Sequence, residues 1–227
     1  MGHGTAIPFE GRAGRLIYDA HYWAVFWSLT LGCSYRASGR SNFPRTGPAL
    51  VLANHQCFLD PILISLAAGR PLTFLARSPL FTGGIFDYLI RTYGAVPIDG
   101  DNARDGIRVA LDCLKRGRAV LVFPEGERTF TGEMTPFKAG VALLIEKAKV
   151  PVVPVGLAGA FAMWPRTDFW PGCAPLMLPS NGKGVAVHVG EPIPPERWNG
   201  MKRDAIIAGL ESEIGRAKAA AESIRRR

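Results

Sequence analysis

Two polar loops follow two of the most apolar short runs in the chain. Ala-Leu-Val-Leu-Ala (49–53) leads into Asn54-His55-Gln56-Cys57-Phe58-Leu59-Asp60. Ala-Val-Leu-Val-Phe (119–123) leads into Pro124-Glu125-Gly126-Glu127-Arg128-Thr129. On an ideal helix, residues five apart lie about 140° apart, so His55 and Asp60 share no helical face. Pro61 suits the first position of a helix, which makes Asp60 its N-cap and leaves His55 in the preceding loop. One Asp60 oxygen can then cap while the other accepts from His55. That fixes the imidazole tautomer, as in a catalytic dyad. Read without chemistry, Asp60 is only a cap and His55 only a loop residue, and the spacing alone does not separate the two.

The second loop offers backbone N–H groups around Gly126 and a guanidinium at Arg128 that can hold a phosphate through two bonds. Lys138 falls near an expected helix start, where the helix terminus also favours an anion. The ordinary alternatives are a surface ion pair for Arg128 and a solvated Lys138. His3, His21 and His188 are isolated in sequence and read as structural or incidental. Cys57 reads as a small buried residue rather than a nucleophile. Cys33, Cys57, Cys113 and Cys173 form no C-x-x-C pair, which argues against a disulfide framework or a zinc site and for reduced thiols.

The elements that must carry these loops alternate. Strands are expected at 49–53, 72–76, 95–98, 119–123, 152–156 and 185–189. Helices are expected from Asp60-Pro61, over about 79–92, and at 102–116, 137–149 and 201–226. Short apolar strands alternating with helices predict an α/β fold with a mostly parallel central sheet covered on both faces. In such sheets, sites gather at the carboxyl ends of strands, where both loops fall. Residues 37–48, rich in Gly, Pro and Ser, read as a linker. The chain thus divides into a membrane-associating segment, 1–36, and a catalytic domain, 37–227.

Residues 13–33 read as a helix whose Tyr18, Tyr22, Trp23, Phe26 and Trp27 suit a membrane interface, with packing on the domain as the competing reading. Its uncharged stretch falls short of the roughly 20 apolar residues that span a bilayer. Peripheral or monotopic attachment is expected, with a folded domain left after deletion of 1–36. Lys and Arg outnumber Asp and Glu by 27 to 19, so the partners should be anionic. Without aromatic-interleaved basic patches or zinc-knuckle spacings, nucleic acid is the weaker choice.

Four blocks in order resemble the 1-acylglycerol-3-phosphate (lysophosphatidic acid) acyltransferases of the PlsC type. They are Asn54-His55 to Asp60, Gly94 to Asp99, Phe123 to Thr129 with Phe137-Lys138-Ala139-Gly140 behind it, and Val150 to Val155. The likeness covers about residues 45–200. It implies transfer of a fatty acyl group from acyl-CoA or acyl carrier protein to a lysophospholipid hydroxyl at the cytoplasmic face of the cell membrane. It implies no metal and no cofactor. His55 would be the general base and Asp60 its orienter. Glu125, Gly126 and Arg128 would bind the acceptor phosphate, as would Arg77. Many relatives carry Arg where Gly100 stands, a place Arg104 could fill from the next turn, and Thr where Glu127 stands. Many also have a longer hydrophobic N-terminus. These departures keep other acceptors open, such as glycerol 3-phosphate or an aminoacyl lyso-lipid, and also a non-catalytic lipid-binding protein.

Overall fold

A computed structural model describes residues 12–98, 103–168, 170–177 and 181–225. Its sheet has the order β1-β7-β6-β2-β5-β3-β4. The strands are β1 (Arg36–Ser38), β2 (Ala49–Ala53), β3 (Thr73–Arg77), β4 (Ala95–Ile98), β5 (Ala119–Val122), β6 (Val152–Ala158) and β7 (Ala186–Val189). β6, β2, β5, β3 and β4 run parallel. β7 runs antiparallel to β6, and β1 follows β7. The helices are α1 (Arg12–Cys33), α2 (Asp60–Ala68), α3 (Ile85–Thr92), α4 (Ala103–Lys115), α5 (Gly140–Ala148), α6 (Ala160–Met163) and α7 (Arg203–Ile224).

The strand alternation divides the core. In β2, Leu50 and Leu52 face one layer with α4, α5 and α7. Val51 and Ala53 face the other, with α1, α2 and the buried Ile90 of α3. β2 is buried along its whole length, as its apolar run predicts for a central parallel strand. α7 buries Ile206, Leu210, Ile214, Ala217 and Ala221. Gly156 lets it close on the sheet, because a Cβ there would stand 2.0 Å from the Lys218 nitrogen.

Every residue of α2 is buried. A helix apolar all round needs cover on all sides, and α1 supplies the outer one. Tyr22 Oη donates to the Leu66 carbonyl at 2.8 Å, and Tyr35 Oη to that of Leu63 at 2.7 Å. Tyr18 and Tyr22 are therefore core residues, and Phe26 packs against the same cluster. The division at residue 36 is not a boundary between cores. Trp23 and Trp27 point away, about half exposed, in a stripe with Leu16, Ala20, Ala24 and Leu31. Of the rings assigned to an interface, the tryptophans alone of those five are outward and exposed. No helix among the described residues is long and apolar enough to cross a membrane.

Three expectations shift. The stretch 37–48 holds the end of β1 and a 3-10 turn at Arg40–Asn42, hidden in the sequence by flanking Gly and Pro. The helix expected over 79–92 is a 3-10 turn, Ser78–Leu80, followed by α3. α5 begins at Gly140, leaving Phe137 and Lys138 in the loop before it.

Candidate active site

The parallel strands β2, β5, β3 and β6 end on one side. Carrying the β2–β5 register forward sets His55 level with Glu125, and carrying that of β3–β5 sets Arg77 level with Pro124. The first and third blocks of site residues therefore meet because their strands are neighbours in the sheet, although 70 residues separate His55 from Glu125 in sequence.

His55 Nδ1 lies 2.7 Å from Asp60 Oδ2. The same oxygen accepts from the Gln56 N–H at 2.5 Å and the Cys57 N–H at 2.8 Å. Oδ1 accepts from the Cys57 thiol at 3.2 Å, and Cys57 Sγ accepts from the Leu59 N–H. Asp60 thus opens α2 without capping it. No side-chain cap bond forms, and the carboxylate turns back onto the loop, whose unpaired N–H groups lie upstream. It is fully buried, whereas the His55 side chain is 18% exposed. Burial first, and then the Asp60 carboxylate, push the Cys57 thiol far up, so it stays protonated.

Both backbone groups of His55 are tied to the second loop. Its N–H donates to Glu125 Oε1 at 2.7 Å, and its carbonyl accepts from the Thr129 N–H at 2.9 Å. Glu125 Oε2 accepts from the Thr135 N–H and hydroxyl at 2.7 and 2.9 Å. The Glu125 carboxylate is therefore buried and turned inward, not presented to a phosphate. Asn54 clamps the first loop to β6, accepting from the Leu157 N–H and donating to its carbonyl.

Arg128 emerges at the rim. Its guanidinium carbon lies 3.4 Å above the Phe58 ring, and its buried Nη1 has no hydrogen-bond partner among the described residues. Burial, with the Arg166 charge second, lowers its affinity for its own proton. Gly126 turns with φ 77°, and the Lys138 side chain lies against it, where a Cβ would stand 2.7 Å from Nζ. Arg77 ends β3 with its side chain exposed. Arg104 lines a groove between α4 and α5 with Arg108 and Lys147. Asp99 and Gly100 lie outside the described residues.

Sequence reading missed four residues here. Phe123 stacks on the His55 ring. Phe58 lies under Arg128. Thr135 holds Glu125. Arg166 pairs with Glu127 at 3.3 Å. Phe123 and Phe58 adjoin the polar blocks and were legible as ring partners. Thr135 and Arg166 carry no local signal.

The arrangement sets a His–Asp dyad beside a guanidinium, which can activate a hydroxyl next to a bound anion. Residues 34–158, more than half of the 227, match the family model described as Acyltransferase, and the chain belongs to that family. It is 32% identical over 221 residues to the chloroplastic 1-acyl-sn-glycerol-3-phosphate acyltransferase of Arabidopsis thaliana, covering 94% of this chain and 57% of that one. It is 32% identical over 184 residues to the alpha form of that enzyme from Bos taurus, covering 78% and 59%. The chain spans about half the length of the curated relatives it matches. The crystal structure of PlsC, the 1-acyl-sn-glycerophosphate acyltransferase of Thermotoga maritima, has the same fold. Its TM-score is 0.69, it covers 92% of this chain and 78% of that one, and the identity is 24%.

Proposed function

We propose that this chain is an O-acyltransferase working at a membrane surface. It moves a fatty acyl group from acyl-CoA or acyl carrier protein to the hydroxyl of a lysophospholipid. The acceptor that fits best is 1-acylglycerol 3-phosphate, which gives phosphatidic acid. One observation carries the reading: the His55–Asp60 dyad shares its pair of loops with Arg128, whose buried Nη1 has no partner among the described residues. The relatives named above are 1-acyl-sn-glycerol-3-phosphate acyltransferases, which agrees with it.

A carboxylate only accepts, so Nδ1 of His55 carries the proton and Nε2 holds the lone pair. Nε2 takes the proton of the acceptor hydroxyl as its oxygen attacks the thioester carbonyl. A C–O bond forms, the C–S bond breaks, and the imidazolium returns its proton to the departing thiolate. Arg128, the backbone at Gly126 and Lys138 receive the acceptor phosphate, with Arg77 at the end of the neighbouring strand, level with Pro124. Glu125 contributes by holding the loop, because a second carboxylate against a phosphate would repel it.

The outer stripe of α1 rests in the interface, so attachment is peripheral or monotopic. The cytoplasmic leaflet, rich in anionic lipid, suits the chain's surplus of +8.

The test is to offer the purified chain several lysophospholipids with one thioester donor and to identify products by mass spectrometry. Diacyl product is expected, with turnover lowered about 10²–10⁴-fold in His55→Ala. Free fatty acid as the main product, or near-normal turnover in His55→Ala, would overturn the reading.

A further inference from the structure

Arg166 lies outside all four sequence blocks, in the loop after α6, yet it reaches the rim of the site. Its Nη1 lies 3.3 Å from Glu127 Oε2, and its guanidinium carbon lies 4.3 Å above the Phe130 ring. Its neighbour Trp164 leans on Phe58, with ring centroids 5.8 Å apart, and Phe58 lies directly under Arg128. Trp164 thus brings the loop that carries Arg166 against the ring that lies under Arg128. The charge of Arg166 is close enough to count among the causes that lower the Arg128 pKa.

The rim thus carries two guanidiniums, and one has a buried N–H with no partner among the described residues. Among the described residues Glu127 is the one carboxylate paired there, and it pairs with Arg166. That pair is exposed on both sides, at 37% and 55%. Exposed pairs contribute little, at most about 1 kcal/mol. An anion that can bridge both arginines displaces Glu127 with little to overcome. A guanidinium binds such an anion best through two parallel bonds, and its planar fork matches phosphate.

We propose that Arg166 and Arg128 form a two-arginine clamp for the terminal phosphate of the acceptor, with Glu127 the resident carboxylate that this phosphate displaces from Arg166. The proposal rests on the acyltransferase reading above and deepens it by naming what the site selects. A phosphomonoester carries close to two negative charges at neutral pH, its second pKa lying near 6. A phosphodiester headgroup carries one charge and keeps a substituent on the side the second arginine must approach. The clamp therefore discriminates in favour of monoesters. Glu127 sharpens the choice, because a weaker anion competes less well with it.

The experiment uses the full chain in detergent mixed micelles, with one acyl-CoA and three acceptors. These are 1-acylglycerol 3-phosphate, 1-acylglycerophosphoglycerol and monoacylglycerol. Arg166→Ala is expected to raise KM for the monoester at least about tenfold, the worth of one charge-assisted contact. It should leave kcat within about threefold, and KM for the diester and the uncharged acceptor within about twofold. Glu127→Gln should lower KM for the monoester. In the Arg166→Ala background the same change should do nothing, because the carboxylate acts through Arg166. Thermal melting confirms that each exposed-site variant is folded. A wild-type chain that acylates the monoester, with a KM that Arg166→Ala leaves unchanged or raises equally for all three acceptors, overturns the clamp and leaves the enzyme reading intact. A wild-type chain that forms no diacyl product overturns that reading, and the clamp with it.

Discussion

The imidazole of His55 lies flat on the Phe123 ring, with centroids 3.8 Å apart and planes 11° from parallel. Asp60 fixes one ring nitrogen and Phe123 fixes the plane, so Nε2 can point in one direction only. Phe123→Leu keeps apolar volume at the end of β5 and removes the flat face. Turnover is expected to fall about 10–100-fold, the scale of a sub-ångström misplacement of a reacting group. The melting temperature should change little. Steady-state kinetics beside differential scanning fluorimetry checks this, and unchanged kcat would remove Phe123 from the site.

The thiol of Cys57 is the one side-chain donor to Asp60 Oδ1 among the described residues. Cys57→Ala leaves that oxygen without it, at a cost of about 1–3 kcal/mol. Cys57→Ser restores a donor and should recover most of the loss. Iodoacetamide should alkylate the exposed Cys173 of the native protein and spare Cys57, which is buried and holds its proton. Peptide mapping after alkylation reads this directly, and prompt labelling of Cys57 would contradict the geometry.

Glu125 accepts from three donors on two segments. Glu125→Ala orphans the buried N–H of His55 and both donors of Thr135, so unfolding free energy should drop by about 2–4 kcal/mol. Activity should be lost at the same time. Urea unfolding separates the two outcomes: a variant of full stability with a raised KM for the phosphorylated acceptor would place Glu125 against substrate instead.

Much of this site was legible in the sequence. Apolar runs placed β2 and β5, and polar loops at their ends placed His55, Asp60 and Arg128. What stayed hidden depends on which strands are neighbours. Nothing in the spacing joins Thr135 to Glu125, or Arg166 to Glu127, because those contacts arise where the loops after β5 and α6 meet at the carboxyl ends of the central strands. Asp60 misled in a smaller way. Its place before Pro61 is a capping signature, yet the loop N–H groups of Gln56 and Cys57 compete for the same oxygens and win. The aromatic cluster of α1 suits a membrane interface or a packed face, and the helix period divides it between the two, with Tyr18 and Tyr22 in the core and Trp23 and Trp27 exposed.

That division separates two experiments on α1. Deleting residues 1–36 removes Tyr18, Tyr22 and Tyr35 from the core and uncovers α2, so the truncated chain should lose helix signal and aggregate. Trp23→Ser with Trp27→Ser changes only the outward stripe. Each indole can bury on the order of 150–250 Å², about 4–6 kcal/mol at ~25 cal/mol/Å² when fully covered and less when half sunk. The double variant should stay folded by circular dichroism and bind anionic vesicles at least about tenfold more weakly in flotation. Undiminished flotation would show that another surface makes the contact.

The two loops alternate residues of opposite fortune. His55, Asp60 and Glu125 are pinned through backbone groups and buried carboxylates. Phe58, Glu127 and Arg166 stand between or beyond them with exposed side chains, touching Arg128, Trp164 and one another at the rim. Mutation can therefore exchange the rim without disturbing the dyad. In descendants of such a scaffold, headgroup preference can drift one substitution at a time while the proton-transfer step is inherited whole.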